Sequence, residues 1–282
     1  MHGPRQTTGR KRGWTAERKP WQGALMRTRL LAAVLASASF AAILGAAKPQ
    51  GYLAPGAFDI LQVLPPAPVK GDARYKADRT VFKQTRRMIG SPRYQLATSD
   101  ADYAQPALMK DFSCAVGVSL TPEDAPKTKA LVDRALIDTE GQTNTAKNFY
   151  KRLRPYKIDR GEICQLKSDL GDSYDYPSGH TTLGWTWSEV LTDLLPERAT
   201  QIQARGRAYG DSRFICGAHN MSAVEAGKLS AGATMAAVRT TPAYQADAAA
   251  ARSELRGLIA DPMTPRPTGC DLEAKLIAQR VQ

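Results

Sequence analysis

Several features that indicate common protein classes are absent from this 282-residue chain. No stretch after residue 47 has 18 consecutive apolar residues, which argues against membrane-spanning helices there. No two cysteines are close enough in sequence for a Cys-x-x-Cys zinc knuckle. Nowhere do β-branched and polar residues alternate between turn signals, so strands are not predicted. We therefore expect an all-α protein without a zinc finger.

Positive charge is in excess but is not concentrated in one segment. The net charge is +12, and residues 1–47 contribute +7 of it, so the rest of the chain carries about +5. Nucleic-acid-binding domains usually show a concentrated basic face, which this sequence lacks. The modest surplus suits attraction of small anionic substrates, and we expect no nucleic-acid partner.

Residues 26–47 have the pattern of a secretory signal peptide. Arg27 and Arg29 precede a mostly apolar run that ends in small residues, which predicts cleavage after Ala47. Residues 1–25 carry no usable pattern and are interpreted as an upstream extension from a misassigned gene start. A membrane anchor is the alternative, but a run of about 16 residues is short for a span of about 20. We expect a periplasmic or secreted protein without a stable membrane anchor after cleavage.

The four cysteines all follow the predicted cleavage site, and they are Cys114, Cys164, Cys216 and Cys270. Oxidising conditions outside the cytoplasm favour disulfides among them. Four cysteines allow three pairings, and the sequence does not choose between them.

Proline, glycine and apolar spacing divide the exported part into an arm and one domain. Residues 48–75 are rich in Pro and Gly and are predicted to form an extended N-terminal arm. Residues 76–282 are predicted to form a single all-helical domain. Two apolar patterns have helical spacing, one formed by Leu131, Val132, Ala135 and Leu136 and the other by Trp187, Val190, Leu191, Leu194 and Leu195.

Helix boundaries follow from capping residues and breakers. Thr121 and Pro122 predict the start of the first of these helices. Pro242 predicts a turn between helices after Thr240 rather than a domain boundary. Further helices are predicted over about 142–152, 197–209, 222–238 and 243–259.

Only three histidines occur, and His2 lies in the predicted leader, so imidazole chemistry falls to His180 and His219. His180 follows Ser178 and Gly179 at the start of a predicted helix, where backbone N–H groups and the helix dipole attract anions. The alternative is a simple cap formed by Ser178 with an exposed histidine beside it.

Basic residues accompany the second histidine and a segment upstream. Arg213 precedes His219 by a short spacer, and a guanidinium fork near a neutral imidazole suits phosphate chemistry, although a structural histidine is an equal alternative. Lys147 and Arg154 are seven positions apart, which on a helix places them on one face. The alternative is a solvated basic face, our interpretation of Lys151 and Arg152.

Taken together, these segments read Lys147-x6-Arg154-Pro155, then Pro177-Ser178-Gly179-His180, then Ser212-Arg213-x5-His219, separated by 21 and 31 residues. This order and spacing resemble the signature of the type-2 phosphatidic-acid phosphatase and vanadium haloperoxidase superfamily. Within that superfamily the chain resembles the bacterial class A non-specific acid phosphatases, from Tyr52-Leu53 and Leu64-Pro65-Pro66 through to the segment Ser212–His219, which is most of the part after the leader. The resemblance implies a helical-bundle domain of that type.

The resemblance also implies roles for individual residues. Lys147, Arg154 and Arg213 would hold the phosphoryl oxygens, assisted by Ser178 and the Gly179 amide. His219 would attack phosphorus to form a phosphohistidine, and His180 would protonate the leaving alcohol and then activate water. Phosphate monoesters are the implied substrates, and no metal or other cofactor is implied.

One position departs from the family pattern. The pattern continues His-x3-Asp, with the aspartate orienting the nucleophilic imidazole, whereas Ala223 stands four residues after His219 here. Loss of an orienting carboxylate lowers the rate, by as much as about 10⁴ in serine proteases. We expect either reduced activity or compensation, by Glu225 through an irregular turn or by the uncharged Ser222.

Other functions stay open at this stage. Ala223 motivates a phosphate- or phosphoester-binding protein that has lost catalysis, and a vanadium-dependent haloperoxidase would share the anion site. Membrane lipid phosphatases of the superfamily are disfavoured by the absence of spanning segments. The preferred substrate and the formation of a homo-oligomer are not determined by the sequence.

Overall fold

The computed structural model describes residues 49–279, so the predicted leader and upstream extension lie outside the described residues. Within this part the chain is helical and has no strands, which confirms the predicted all-α class. Its α-helices are α1 (Ala73–Thr85), α2 (Pro92–Ser99), α3 (Gln105–Val116), α4 (Pro126–Tyr150), α5 (Gly179–Leu194), α6 (Ala199–Cys216), α7 (Met221–Val238), α8 (Pro242–Ala260) and α9 (Cys270–Ile277).

Helix α5 lies at the centre of the bundle, in contact with α4, α6, α7 and α8. Both apolar patterns read from the sequence are buried in the main core, as burial of one face of each helix requires. The α5–α6 approach is close because Gly184 has no side chain: a Cβ there would lie 2.1 Å from the Tyr209 ring. This contact positions the Tyr209 ring, which stacks on His180 of the pocket described below.

The predicted start of the long helix at Thr121 and Pro122 is wrong. The Thr121 hydroxyl accepts a hydrogen bond from the Asp124 amide at 3.1 Å, and residues 121–125 form a turn before α4 begins at Pro126. Glu254 of α8 accepts the first free amides of α4, at Lys127 and Thr128. The cap is therefore supplied by a distant helix, which local sequence cannot reveal.

Other helix boundaries were predicted with mixed success. The separate helix over 142–152 does not exist, because α4 runs without interruption to Tyr150 and stops where Lys151 adopts a left-handed conformation with φ of 48°. Helix α6 is longer than the predicted 197–209. The predictions for α7 and α8 agree within one residue, and the turn before Pro242 is confirmed by the Thr241 cap.

The segment before α1 packs along α4 without a regular α-helix. The Tyr52 amide donates to Asp138 of α4 at 2.6 Å, and the amide of Ile60 donates to Gln142 at 3.1 Å. Ile60 is fully buried, in a small apolar cluster that also includes Ala223. This segment therefore adds a second, smaller core on one side of the bundle.

Two disulfides close the bundle, Cys114–Cys270 and Cys164–Cys216. This is one of the three pairings that the sequence left open. The second bond ties the loop before α5 to the end of α6, close to Arg213. No helix among residues 49–279 combines the length and hydropathy needed to cross a membrane.

Candidate active site

A pocket of about 380 Å³ opens where α4, α5, α6 and the loops before α5 and α7 meet. Six of the residues singled out in the sequence line it, namely Lys147, Arg154, Gly179, His180, Arg213 and His219. These groups come from segments far apart in the chain, so the fold brings together what the sequence only lists in order. Three cations and two imidazoles around one cavity form an environment suited to a small oxyanion.

Lys147 and Arg154 reach the pocket differently from the prediction that both lie on one helix face. Lys147 is on α4, but Arg154 follows the end of that helix, in the loop that leads away from it. Lys147 Nζ donates to Ser173 Oγ at 3.0 Å and to the Tyr174 carbonyl at 2.8 Å. Burial, together with Arg154, lowers the pKa of Lys147 to about 7. Its positive charge is therefore complete only at acidic pH unless an anion binds nearby.

Arg213 is the most informative cation in the pocket. Its side chain is 1% exposed, and Nε and one terminal nitrogen have no hydrogen-bond partner among the described residues. The other terminal nitrogen donates to Gln165. Unpaired buried N–H groups are costly, and a guanidinium fork satisfies them best with an anion. Burial lowers the pKa of Arg213 to about 10, so the group stays charged.

Ser178 and Gly179, at the start of α5, were both predicted to bind the anion, but only Gly179 lines the pocket. Ser178 is buried, and its hydroxyl caps the helix by accepting the Thr181 amide at 3.2 Å. It does not line the pocket, so the helix-cap alternative describes its side chain. Gly179 does line it, and a Cβ there would lie 3.8 Å from Lys147 Nζ. The absence of a side chain leaves room for an anion between this backbone and the ammonium group.

His180 is held by a backbone carbonyl and by an aromatic ring. Its Nε2 lies 2.6 Å from the carbonyl oxygen of Asp100. A carbonyl only accepts hydrogen bonds, so Nε2 carries a proton and Nδ1 is the nitrogen left to exchange one. The ring stacks on Tyr209, with centroids 4.9 Å apart. Burial and Arg213 hold the pKa of His180 well below its usual value.

His219 is buried, and its two nitrogens have different partners. Nε2 lies 2.8 Å from a terminal nitrogen of Arg154, while Nδ1 lies 2.8 Å from the Asp175 carbonyl and 3.1 Å from Asp175 Oδ1. A guanidinium only donates, so Nε2 accepts and the proton is on Nδ1. Burial and Arg154 hold the pKa of His219 well below its usual value, which keeps the ring neutral.

Neither residue expected to compensate for Ala223 contacts the His219 ring. Glu225 is exposed and pairs with Lys228 at 3.4 Å, so the predicted irregular turn is absent. The Ser222 hydroxyl donates to Asp78 at 2.6 Å. The carboxylate at the ring belongs to Asp175, which sequence reasoning missed. Asp175 lies two residues before the Pro177-Ser178-Gly179-His180 segment, which could have drawn attention to it. Nothing in the sequence, however, pairs it with His219.

The interpretation of Lys151 and Arg152 as a solvated face is half wrong. Lys151 is exposed, but Arg152 is 8% exposed and bonds Asp78 at 2.6 Å. A second nitrogen of Arg152 lies 3.4 Å from Asp175 Oδ2. Arg152 therefore supports the carboxylate behind His219, because a buried cation needs paired acceptors.

Comparison with known proteins identifies the family of the chain. Residues 134–246 match the PAP2 superfamily, and this range contains every residue that we predicted for the site. The chain is 37% identical to an acid phosphatase of Zymomonas mobilis over 217 residues, which are 76% of this chain and 82% of that protein. It is 36% identical to a non-specific acid phosphatase of Salmonella typhimurium, over 68% of this chain and 78% of that protein.

A third relative, a non-specific acid phosphatase of Providencia stuartii, is 33% identical over 72% of this chain and 83% of its own length. Similarity at this level extends well beyond the three short motifs and covers most of the helical domain. The chain therefore belongs to the PAP2 superfamily and, within it, to the bacterial class A non-specific acid phosphatases.

Proposed function

We propose that this protein is an exported acid phosphatase that hydrolyses phosphate monoesters through a phosphohistidine on His219, without a metal ion. The observation that carries the proposal is the pairing of a buried, partly unsatisfied Arg213 with a neutral His219 at one pocket. An anion would satisfy the first group, and the second is a nucleophile. Export is supported by the leader pattern of residues 26–47.

Charge in the pocket matches a phosphoryl group without a metal. Lys147, Arg154 and Arg213 supply three cations, and the amide end of α5 at Gly179 adds N–H donors. Phosphoryl transfer depends mostly on positioning and on stabilising charge on the equatorial oxygens. In metal-dependent enzymes Mg²⁺ provides part of that charge, and here the side chains would provide it.

The first step transfers the phosphoryl group to His219. Arg154 donates to Nε2 of this ring, and phosphoryl oxygens offer that N–H a charged acceptor, which frees the lone pair. Nε2 then forms a bond to phosphorus while the ester P–O bond breaks. Protonated His180 gives its Nδ1 proton to the leaving oxygen, so the alcohol departs neutral.

The second step regenerates the enzyme. His180, now neutral, accepts a proton from water as the water oxygen bonds to phosphorus. The P–Nε2 bond breaks, His219 returns to its neutral form, and inorganic phosphate is released. Each step has one acid or base, and His180 fills both roles in turn.

Hydrolysis of p-nitrophenyl phosphate by purified protein, from acidic to neutral pH and with or without EDTA, tests this function. We expect activity that survives EDTA and is lost in His219→Ala. With ³²P-labelled substrate, a rapid acid-free quench should leave the label on the wild-type protein. Glu225→Gln is the matched control, because Glu225 is exposed, pairs with Lys228 and does not line the pocket. Loss of activity with EDTA, or an active His219→Ala variant, would contradict the proposal.

A further inference from the structure

Resting on this proposed function, we propose that Asp175 is the positioning residue for the His219 ring and that it replaces the carboxylate missing at Ala223. Asp175 belongs to the loop before α5, whereas the usual aspartate of the pattern would sit on α7. A carboxylate from a different segment of the chain would thus orient the His219 ring. Neither the family pattern nor the sequence of this chain points to that substitution.

Direct contact supports the assignment. The Nδ1–H of His219 points at two acceptors of one residue, the Asp175 carbonyl at 2.8 Å and Oδ1 at 3.1 Å. Arg154 on the opposite nitrogen fixes the tautomer, as derived above. Together the two partners leave Nε2 as the nucleophilic atom and aim it into the pocket. A ring without an Nδ1 acceptor would sample the other tautomer, which cannot attack from Nε2.

The Asp175 carboxylate is itself fixed in place. It is fully buried, and Asn220 donates its backbone amide to Oδ1 at 3.0 Å and its side-chain amide to Oδ2 at 2.7 Å. Arg152 lies 3.4 Å from Oδ2 and also bonds Asp78 at 2.6 Å. Two donors and one cation therefore hold the carboxylate against rotation, and a group held this firmly can orient a ring.

The proposed phosphoryl transfer gives the Asp175 carboxylate a second role, which is to compensate for positive charge on the His219 ring. Attack by Nε2 on phosphorus, with the proton still on Nδ1, turns the neutral ring into a cationic phosphoimidazolium. The pocket already holds Lys147, Arg154 and Arg213, so this new positive charge is unfavourable there. A carboxylate in contact with Nδ1 compensates for it as it develops. The effect should appear in kcat rather than in ground-state anion binding.

Ala223 lies behind the pocket, beside the loop that carries Asp175. The Ala223 carbonyl accepts the Ser178 amide at 2.9 Å, and its methyl group belongs to the apolar cluster that contains Tyr176, the neighbour of Asp175. Both positions therefore flank the same loop. An aspartate introduced at 223 would approach the ring from α7, four residues after His219.

The primary test is Asp175→Asn, which keeps the shape and the hydrogen-bond acceptor but removes the charge. We expect kcat for p-nitrophenyl phosphate to fall by about 10² to 10⁴, with competitive inhibition by inorganic phosphate weakened less than about threefold, because phosphate is a ground-state anion and the cations that bind it are unchanged. The melting temperature reports folding, and Glu225→Gln is the control with unchanged kcat. A kcat within threefold of wild type, or a parallel loss of inhibition by inorganic phosphate, would overturn the proposal.

A position-exchange variant sharpens the result. In Asp175→Ala/Ala223→Asp, the carboxylate returns to the usual place, and we expect at least about tenfold more activity than in Asp175→Ala alone. No recovery in a folded double variant would overturn the claim that the two positions serve the same ring.

One measurement needs no variant of Asp175 at all. In ¹⁵N-histidine-labelled protein, His219 should show a protonated Nδ1 and an unprotonated Nε2, assigned by the signal lost in His219→Ala; the chain has only three histidines. The reverse tautomer would overturn the proposal even if wild type hydrolyses phosphate esters. Failure of the proposed function would give a different result, namely no hydrolysis by wild type or full activity of His219→Ala.

Discussion

The two imidazoles of the pocket are held by different kinds of partner. His219 donates Nδ1–H to Asp175 and accepts from Arg154, so both of its nitrogens face charged residues. His180 donates Nε2–H to the Asp100 carbonyl and stacks on the Tyr209 ring, which are neutral contacts. His219 is buried and His180 is partly buried, and burial lowers the pKa of each.

This difference matches the charge that each ring would carry in the proposed mechanism. There His219 becomes cationic when it bonds to phosphorus, and a fixed carboxylate would stabilise that state. His180 would both give and take a proton, and a permanent carboxylate on it would favour the charged form throughout the cycle. A carbonyl fixes the orientation of its ring without that bias. The two environments would thus suit a nucleophile and an acid–base group respectively.

Replacement of His180 by alanine tests the proposed difference between the two histidines, and it has the largest expected effect on kcat. In His180→Ala we expect kcat to fall by about 10² to 10⁴ with an alkyl phosphate, because an alkoxide leaves poorly without a proton. With p-nitrophenyl phosphate, phosphohistidine formation should fall much less, since its leaving group needs little protonation. Steady-state and single-turnover rates for both substrates measure the difference. Equal losses in the single-turnover rate would contradict the role of His180 as an acid.

The dependence on pH should distinguish the rings next. His180 acts as an acid only when protonated, and its pKa is lowered, so kcat/KM should decline about tenfold per pH unit above that pKa. Lys147, with a pKa of about 7, loses charge in the same direction. His219 must be unprotonated, and its lowered pKa extends this condition into acid. We therefore expect the maximum of kcat/KM below pH 6.5.

The substrate also titrates near this range, so the profile needs a reference. The His180→Asn variant uses the same substrate and retains Lys147. The difference between its profile of kcat/KM against pH and that of wild type therefore isolates the contribution of the His180 proton. A decline of equal steepness in both proteins would assign the pH dependence to another group. A maximum in alkaline solution would contradict both lowered pKa values.

Residues of the signature were easier to predict than the residues that support them. Lys147, Arg154, Arg213 and the two histidines were singled out from order and spacing, and all five line one pocket. Helices α7 and α8 were also predicted within one residue, since their limits are set locally by Pro242 and by apolar spacing.

Features that depend on distant contacts were missed. The cap of α4 comes from Glu254, over 100 residues away, so Thr121 was a misleading local signal. Asp175 reaches His219 across 44 positions, and Arg152 is buried only because Asp78 lies opposite it. The substitutes expected for Ala223, Ser222 and Glu225, both lie on α7, whereas Asp175 contacts the His219 ring from the loop before α5.

Replacement of Tyr209 tests the neutral side of the comparison, where we expect the smallest effect. Its hydroxyl is buried with no partner among the described residues, so Tyr209→Phe should leave kcat and the melting temperature unchanged or slightly raise the latter. Tyr209→Leu removes a stacking contact of about 0.5–1.5 kcal/mol, and kcat with an alkyl phosphate should fall about 2- to 10-fold. Since this contact carries no charge, its loss must cost less than Asp175→Asn. The reverse order, or an impaired Phe variant, would show that the two rings are not held in the distinct ways described.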